Sequence, residues 1–215
     1  MRPTLLEVNT TEASWDSLSN GSRVLVNMNI ALTLTCMTRM KFSPESCSIG
    51  VRGPMIEKEF GHLDGLLHNA SIIGPRTPIE QLSGENFMRV MHVNVNAMFM
   101  LTATLLPLLK LSQDASVVFT SSSVGRKGRA YWGAYGVSKF ATEGLMQTLA
   151  DEVEGVAPVR SNSINPGGTR TSMRAQAYPG ENPLNNPTPE EIMPVYLYLM
   201  GPDSAGVNGQ AFNAQ

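Results

Sequence analysis

From Leu63 to the C-terminus, short apolar runs alternate with long stretches of helical periodicity, and this alternation narrows the fold more than any other feature. Leu63 to His68, Ser116 to Thr120 and Val159 to Ile164 read as buried strands, with Gln210 to Asn213 as a last short one. Over Ser83 to about Leu111, residues Phe87, Val90, Met91, Asn94, Val95, Met98, Thr102 and Leu105 recur at three- and four-residue steps. Pro107 is expected to kink or end that helix. Gly133 to about Glu154 is predicted helical, with Phe140, Leu145, Met146 and Leu149 as its apolar stripe. Thr188-Pro189-Glu190-Glu191 joins a cap, a proline at the first helical position and acids in the first turn. A helix is predicted from there to Met200, stopped by Gly201-Pro202. Strands alternating with helices predict one α/β domain with a parallel, doubly wound sheet.

The first third is less patterned. Thr4 to Val8 reads as a strand, and Thr11 to Leu18 as a helix capped by Thr10 or Thr11. Val24 to Thr35 reads as one or two strands, and Met55 to Phe60 as a helix end stopped by Gly61. A length of 215 residues suits one domain with a full core. A formal net charge of −2 makes no electrostatic footprint for nucleic acid. Arg126, Lys127 and Arg129 read as a solvated loop. Cys36 and Cys47 are too few for a disulfide framework, so a reducing cytoplasm is expected. No uninterrupted apolar run suits a bilayer, and the N-terminus lacks a basic stretch followed by an apolar one. Neither a membrane nor a nucleic acid is expected as partner, and no metal set is apparent.

In open parallel sheets, chemistry gathers beyond the carboxyl ends of the strands. Asn69 follows the first of the clear strands, Ser122 the second, and Pro166, Gly167 and Thr171 the third. Tyr135 and Lys139 stand at i and i+4, on one helix face. A cation beside a phenol favours the phenolate and brings it toward an acid/base range. The pair alone is a weak motif, equally at home on a solvated helix. Asn94 has an ordinary reading as a helix residue bonded to nearby backbone, Thr171 as a helix cap, and Asn165-Pro166-Gly167 as a plain turn. His68 reads as a satisfied, partly buried histidine, and Tyr131 and Trp132 as pocket lining or exposed loop aromatics.

Taken in order, these residues resemble the short-chain dehydrogenase/reductase family. The matched elements are Asn69-Ala70-Ser71, where the family usually has Asn-Ala-Gly, then Asn94, Ser122, Tyr135-x-x-x-Lys139, Pro166-Gly167-x-x-x-Thr171 and Gly209-Gln210-x-Phe212. They fit over residues 63–215 and leave 1–60 poorly matched. The resemblance implies a Rossmann-like fold and NAD- or NADP-dependent interconversion of a carbonyl and an alcohol on a small molecule. It implies Tyr135 as acid or base, Lys139 lowering its pKa and holding the nicotinamide ribose, and Ser122 bonding the substrate oxygen. Asn94 would hold a water linking Lys139 to solvent. Asn69, Ala70, Pro166, Gly167 and Thr171 would complete the cofactor site. Met173 to Asn186 would form a mobile lid. The helices from Ser83 and Gly133 would present apolar outer faces and form a homodimer or homotetramer.

The resemblance departs at the start. The family's Thr-Gly-x-x-x-Gly-x-Gly turn, which receives the cofactor diphosphate, is not made by Gly21, Gly50, Gly53 or Gly61. If Thr4 to Glu7 is the second family strand and Ile30 to Thr35 the third, the first βα unit is missing. Thr33 then stands where an Asp approaches the adenine, and Glu7 weakly suggests NAD. Such a sheet is expected to have two edges in need of new pairing, and cofactor binding is expected to be weak. A non-catalytic binding or scaffold protein is the first alternative. A sugar-nucleotide epimerase relative is the second, disfavoured by Asn-Ala-Ser and the short C-terminal region.

Overall fold

The computed structural model describes residues 24–27, 57–58 and 61–215. Within them, five strands form one sheet: β1 (Val24–Asn27), β2 (Gly65–His68), β3 (Ala115–Thr120), β4 (Val159–Asn165) and β5 (Ala211–Asn213). They lie side by side in chain order, every neighbouring pair parallel. Leu66 pairs with Val117, Val118 with Asn162, and Ile164 with Phe212. The edge of β2 that the resemblance leaves open is paired with β1. The expected strands at Thr4 to Val8 and Ile30 to Thr35, the helix at Thr11 to Leu18, and residues Glu7, Thr33, Cys36 and Cys47 lie outside the described residues. Glu57 and Lys58 are helical, and the Gly61 N–H donates to the Glu57 carbonyl at 2.8 Å, as expected of a glycine stop.

Successive strand residues face opposite sides, so two adjacent apolar residues feed two cores. Leu66, Val117 and Phe119 pack with Met98, Leu105, Met146 and Leu149 on one face. Leu67, Val118 and Ile164 pack with Ile192, Tyr196 and Leu199 on the other. Truncating a fully buried residue such as Leu66 to alanine costs about 2–5 kcal/mol. The first face is covered by α2 (Ala97–Leu109) and α3 (Gly133–Val153), and α1 (Gly84–Met91) packs against α3. The second carries α5 (Pro189–Met200), which follows the short α4 (Ser172–Ala177). Thr188 and Glu191 form the reciprocal capping box at the start of α5.

Two helical details differ from expectation. The long helix from Gly84 to Leu109 is continuous but passes through a wider π turn at His92–Asn96, where the Ala97 N–H reaches back to the His92 carbonyl. Pro107 sits inside α2 without ending it. Pro107 and Ala103, whose carbonyl loses its donor, are both exposed, so water can replace that bond. By length and composition this helix is apolar enough to cross a bilayer. Its inner face instead packs on the sheet through Met98, Leu105 and Leu109.

The predicted stripe of α3 also needs correction. Met146 and Leu149 are buried, but Phe140 is 48% exposed. The inward face of α3 runs through Tyr135, Ser138, Lys139, Thr142 and Met146. Its N-terminal half is polar because it faces the strand ends, so apolar periodicity misplaced it.

Candidate active site

The polar residues on α3 meet the loops beyond β2 and β3. Tyr135 lies in the first turn of α3 and is 9% exposed. The hydroxyls of Ser122 and Ser71 neighbour its phenol and favour its ionised form. The loop carrying Ser122 lies tight against α3 because Gly125 has no side chain. A Cβ there would stand 2.7 Å from the Lys139 carbonyl oxygen. Lys139, one turn on, is 1% exposed. Its ammonium donates to the Thr120 carbonyl at 2.7 Å and lies 5.5 Å from the centre of the Tyr135 ring. Ser122, Tyr135 and Lys139 therefore converge.

Burial dominates their protonation. It pushes the Tyr135 phenol up, against the opposing hydroxyls of Ser122 and Ser71. Burial also lowers Lys139 to about 8, against the carboxylate of Glu143. Desolvation thus outweighs both hydroxyls, the expected lowering by Lys139 is not among the causes acting on the phenol, and the phenol keeps its proton at neutral pH.

Asn94 enters the site from the π turn. Its Oδ1 accepts the Ile72 N–H at 2.8 Å, and its Nδ2 donates to the Ile72 carbonyl at 2.8 Å and to Ser138 Oγ at 3.0 Å. Ser138 in turn donates to the Tyr135 carbonyl at 2.8 Å. Asn94 ties the loop after β2 to the first turn of α3. Asn69 is reached through Thr120, whose hydroxyl donates to Asn69 Oδ1 at 3.0 Å. Ala70 follows it, half-buried.

Pro166, Gly167 and Thr171 lie beyond the end of β4 and form no direct hydrogen bond with Tyr135 or Lys139. Gly167 has φ of 73°, and its N–H donates to Asn165 Oδ1 at 3.1 Å. A Cβ at Gly167 would lie 2.6 Å from the Gln215 amide nitrogen, which donates to the Pro166 carbonyl at 2.5 Å. Thr171 caps α4, accepting from the Arg174 N–H at 3.2 Å. The segment expected as a lid contributes Met173, Ala177 and Tyr178, which pack with Trp132 and Tyr135.

His68 is buried more fully than expected, at 1% exposure. It bonds Thr102 Oγ1 through Nε2 at 2.9 Å and stacks on Phe119 with ring centres 4.8 Å apart. Burial lowers it to about 3, which keeps it neutral. Sequence reasoning missed Ser71 and Thr120. Ser71 read only as a departure from Asn-Ala-Gly, yet its hydroxyl meets the phenol. Thr120 read as a strand residue, yet it holds Asn69 with its side chain and Lys139 with its carbonyl.

Residues 53–182 match the family model described as short chain dehydrogenase. The chain belongs to that family. It is 56% identical over 160 residues to the uncharacterized oxidoreductase YciK of Escherichia coli, covering 74% of this chain and 63% of YciK. A short chain dehydrogenase structure from Pseudomonas syringae matches with a TM-score of 0.77 and 79% identity, covering 78% of this chain and 68% of that one. A short chain dehydrogenase from Shigella flexneri, complexed with NADP, matches with a TM-score of 0.75 and 53% identity, covering 78% of this chain and 69% of that one. The chain spans about three-fifths of the length of the curated relatives it matches. Its parallel α/β sheet is the family's Rossmann-like fold.

Proposed function

We propose that this short chain dehydrogenase is an NAD(P)-dependent oxidoreductase interconverting a carbonyl and an alcohol, with Tyr135 as its acid/base. The convergence of Ser122, Tyr135 and Lys139 carries this reading. A phenol that keeps its proton at neutral pH is fit to protonate a carbonyl oxygen as it becomes an alcohol. In the reverse direction the phenolate takes the alcohol proton. Ser122 hydrogen-bonds the same substrate oxygen and fixes it beside the phenol. Asn94 acts as a positioning residue for α3. Both of its amide hydrogens are spent within the protein and its Oδ1 accepts the Ile72 N–H, so a second lone pair on Oδ1 is what it has left for a water.

The residues present suit the nicotinamide end of a cofactor. An ammonium has three donors, and Lys139 uses one on a protein acceptor among the described residues, leaving donors for ribose hydroxyls. The Pro166-Gly167 turn, whose Cβ space the Gln215 side chain occupies, lies with Asn69, Ala70 and Thr171 at the same end of the sheet. When bound, the cofactor supplies or takes the hydride. The NADP bound by the Shigella flexneri relative favours NADP(H). The outer faces of the long helices expose Phe99 and Phe140, which suits a homodimer or homotetramer.

The test is oxidation of NADPH and NADH by the purified chain with a panel of aldehydes and ketones. Turnover that disappears in Tyr135→Phe is expected. Turnover that survives this change would remove Tyr135 from the chemistry.

A further inference from the structure

Beside Tyr135, arginine and aromatic side chains gather with more hydrogen-bond donors than acceptors. Arg76, on the loop after β2, holds its guanidinium between two rings. Its central carbon lies 4.6 Å from the centre of Trp132 and 4.9 Å from that of Tyr178. One of its nitrogens donates to the Ala177 carbonyl. Arg129 donates to the Tyr178 hydroxyl at 3.2 Å. A third guanidinium, Arg174, lies 4.0 Å from the Tyr178 ring, but Glu181 accepts from it twice at 2.6 Å.

Three cations thus surround Tyr178 against one carboxylate. Arg76 and Arg129 are exposed and form no salt bridge among the described residues. Trp132 is only 7% exposed, and its ring centre lies 5.6 Å from that of Tyr135. Its Nε1–H is buried with no partner among the described residues. A buried donor left without an acceptor is costly, and an arriving acceptor relieves that cost. Around these donors the wall is apolar, built from Ile73, Met173 and Ala177.

We infer that the substrate of this centre is an apolar carbonyl or alcohol carrying an oxyanion, a carboxylate or a phosphate. Arg76 and Arg129 hold the anion, and Trp132 and Tyr178 flank the apolar body next to Tyr135. Stacking keeps the Arg76 guanidinium flat and pre-oriented, with donors left over for a forked bond to an oxyanion. This inference rests on the oxidoreductase reading for the carbonyl end alone. A purely structural role, with both arginines latching the Ala177-Tyr178 segment, would give no preference for charge.

The probes are para-acetylbenzoate, its uncharged methyl ester and para-acetylphenyl phosphate. Binding to the full chain is measured by calorimetry, with and without NADPH, and turnover by loss of NADPH. At least one anion should bind roughly tenfold or more tightly than the ester, as charge-assisted bonds predict. That preference should shrink as salt rises and fall close to unity in Arg76→Gln and in Arg129→Gln. The stronger of the two anions names the group. Arg129→Gln carries the test if Arg76→Gln lowers the melting temperature. Equal binding of anions and ester, no detectable binding of either anion, or a preference surviving in both variants overturns the inference. Equal turnover of acid and ester sinks it while leaving the oxidoreductase reading intact. Selective anion binding without turnover of any carbonyl does the reverse.

Discussion

The buried ammonium of Lys139 donates to the backbone carbonyl of Thr120, 2.7 Å away, and joins the first half of α3 to the end of β3. The contact holds a charge in the interior next to the phenol of Tyr135. Its energetic cost is readable as a pH dependence.

Lys139 is lowered to about 8 by burial, whereas an unfolded lysine titrates near 10.4. Between those values the unfolded chain binds more protons, so stability should rise with pH across that window. Below about pH 8 both states are charged and the full cost of burying the ammonium applies. The span amounts to about 3 kcal/mol. Urea unfolding at a series of alkaline pH values should show this rise, and Lys139→Met should remove that component. A decrease across the window in the wild type relative to Lys139→Met would contradict it.

Tyr135→Phe keeps the ring among Trp132 and Val124 and removes the hydroxyl met by Ser122 and Ser71. Turnover should fall about a hundred- to ten-thousand-fold, with stability changed by only about 1 kcal/mol. Steady-state rates and thermal melts on the same preparation separate the two effects.

Asn94→Asp should destabilise the fold strongly. The carboxylate can still accept the Ile72 N–H but cannot donate to the Ile72 carbonyl, and it is a charge at a fully buried position. Losing a buried donor and leaving its acceptor unpaired costs about 1–3 kcal/mol before the charge is counted. The denaturant midpoint should fall accordingly, and more steeply above the pH at which the new carboxyl ionises. Unchanged midpoints would mean the π turn does not depend on these bonds.

Phe99 and Phe140 are 52% and 48% exposed on the helices whose inner faces form the core. Sedimentation of the wild type should show a dimer or tetramer, and the double change Phe99→Asp, Phe140→Asp should give monomers with an unchanged circular dichroism spectrum. A monomeric wild type would remove this face as the subunit contact.

The order of elements from Leu63 onward was legible because it is written in local periodicity. Fully apolar runs such as Val117-Val118-Phe119 make buried strands, and Thr188-Pro189-Glu190-Glu191 starts a helix without help from the rest of the chain. The i, i+4 spacing likewise placed Tyr135 and Lys139 on one face before any packing was known. Tertiary structure decided the rest. The π turn at His92–Asn96 lies beside bonds from Asn94 to Ile72 and Ser138, far apart in the chain. Thr120 became a hub because three distant side chains, those of Asn69, Tyr196 and Lys139, reach its two oxygens. Phe140 lies outside the buried face of α3 because polar residues occupy the face turned to the strand ends. The rise of the Tyr135 pKa also required the fold. Residue spacing shows a nearby cation, whereas desolvation depends on how completely the surrounding loops exclude water.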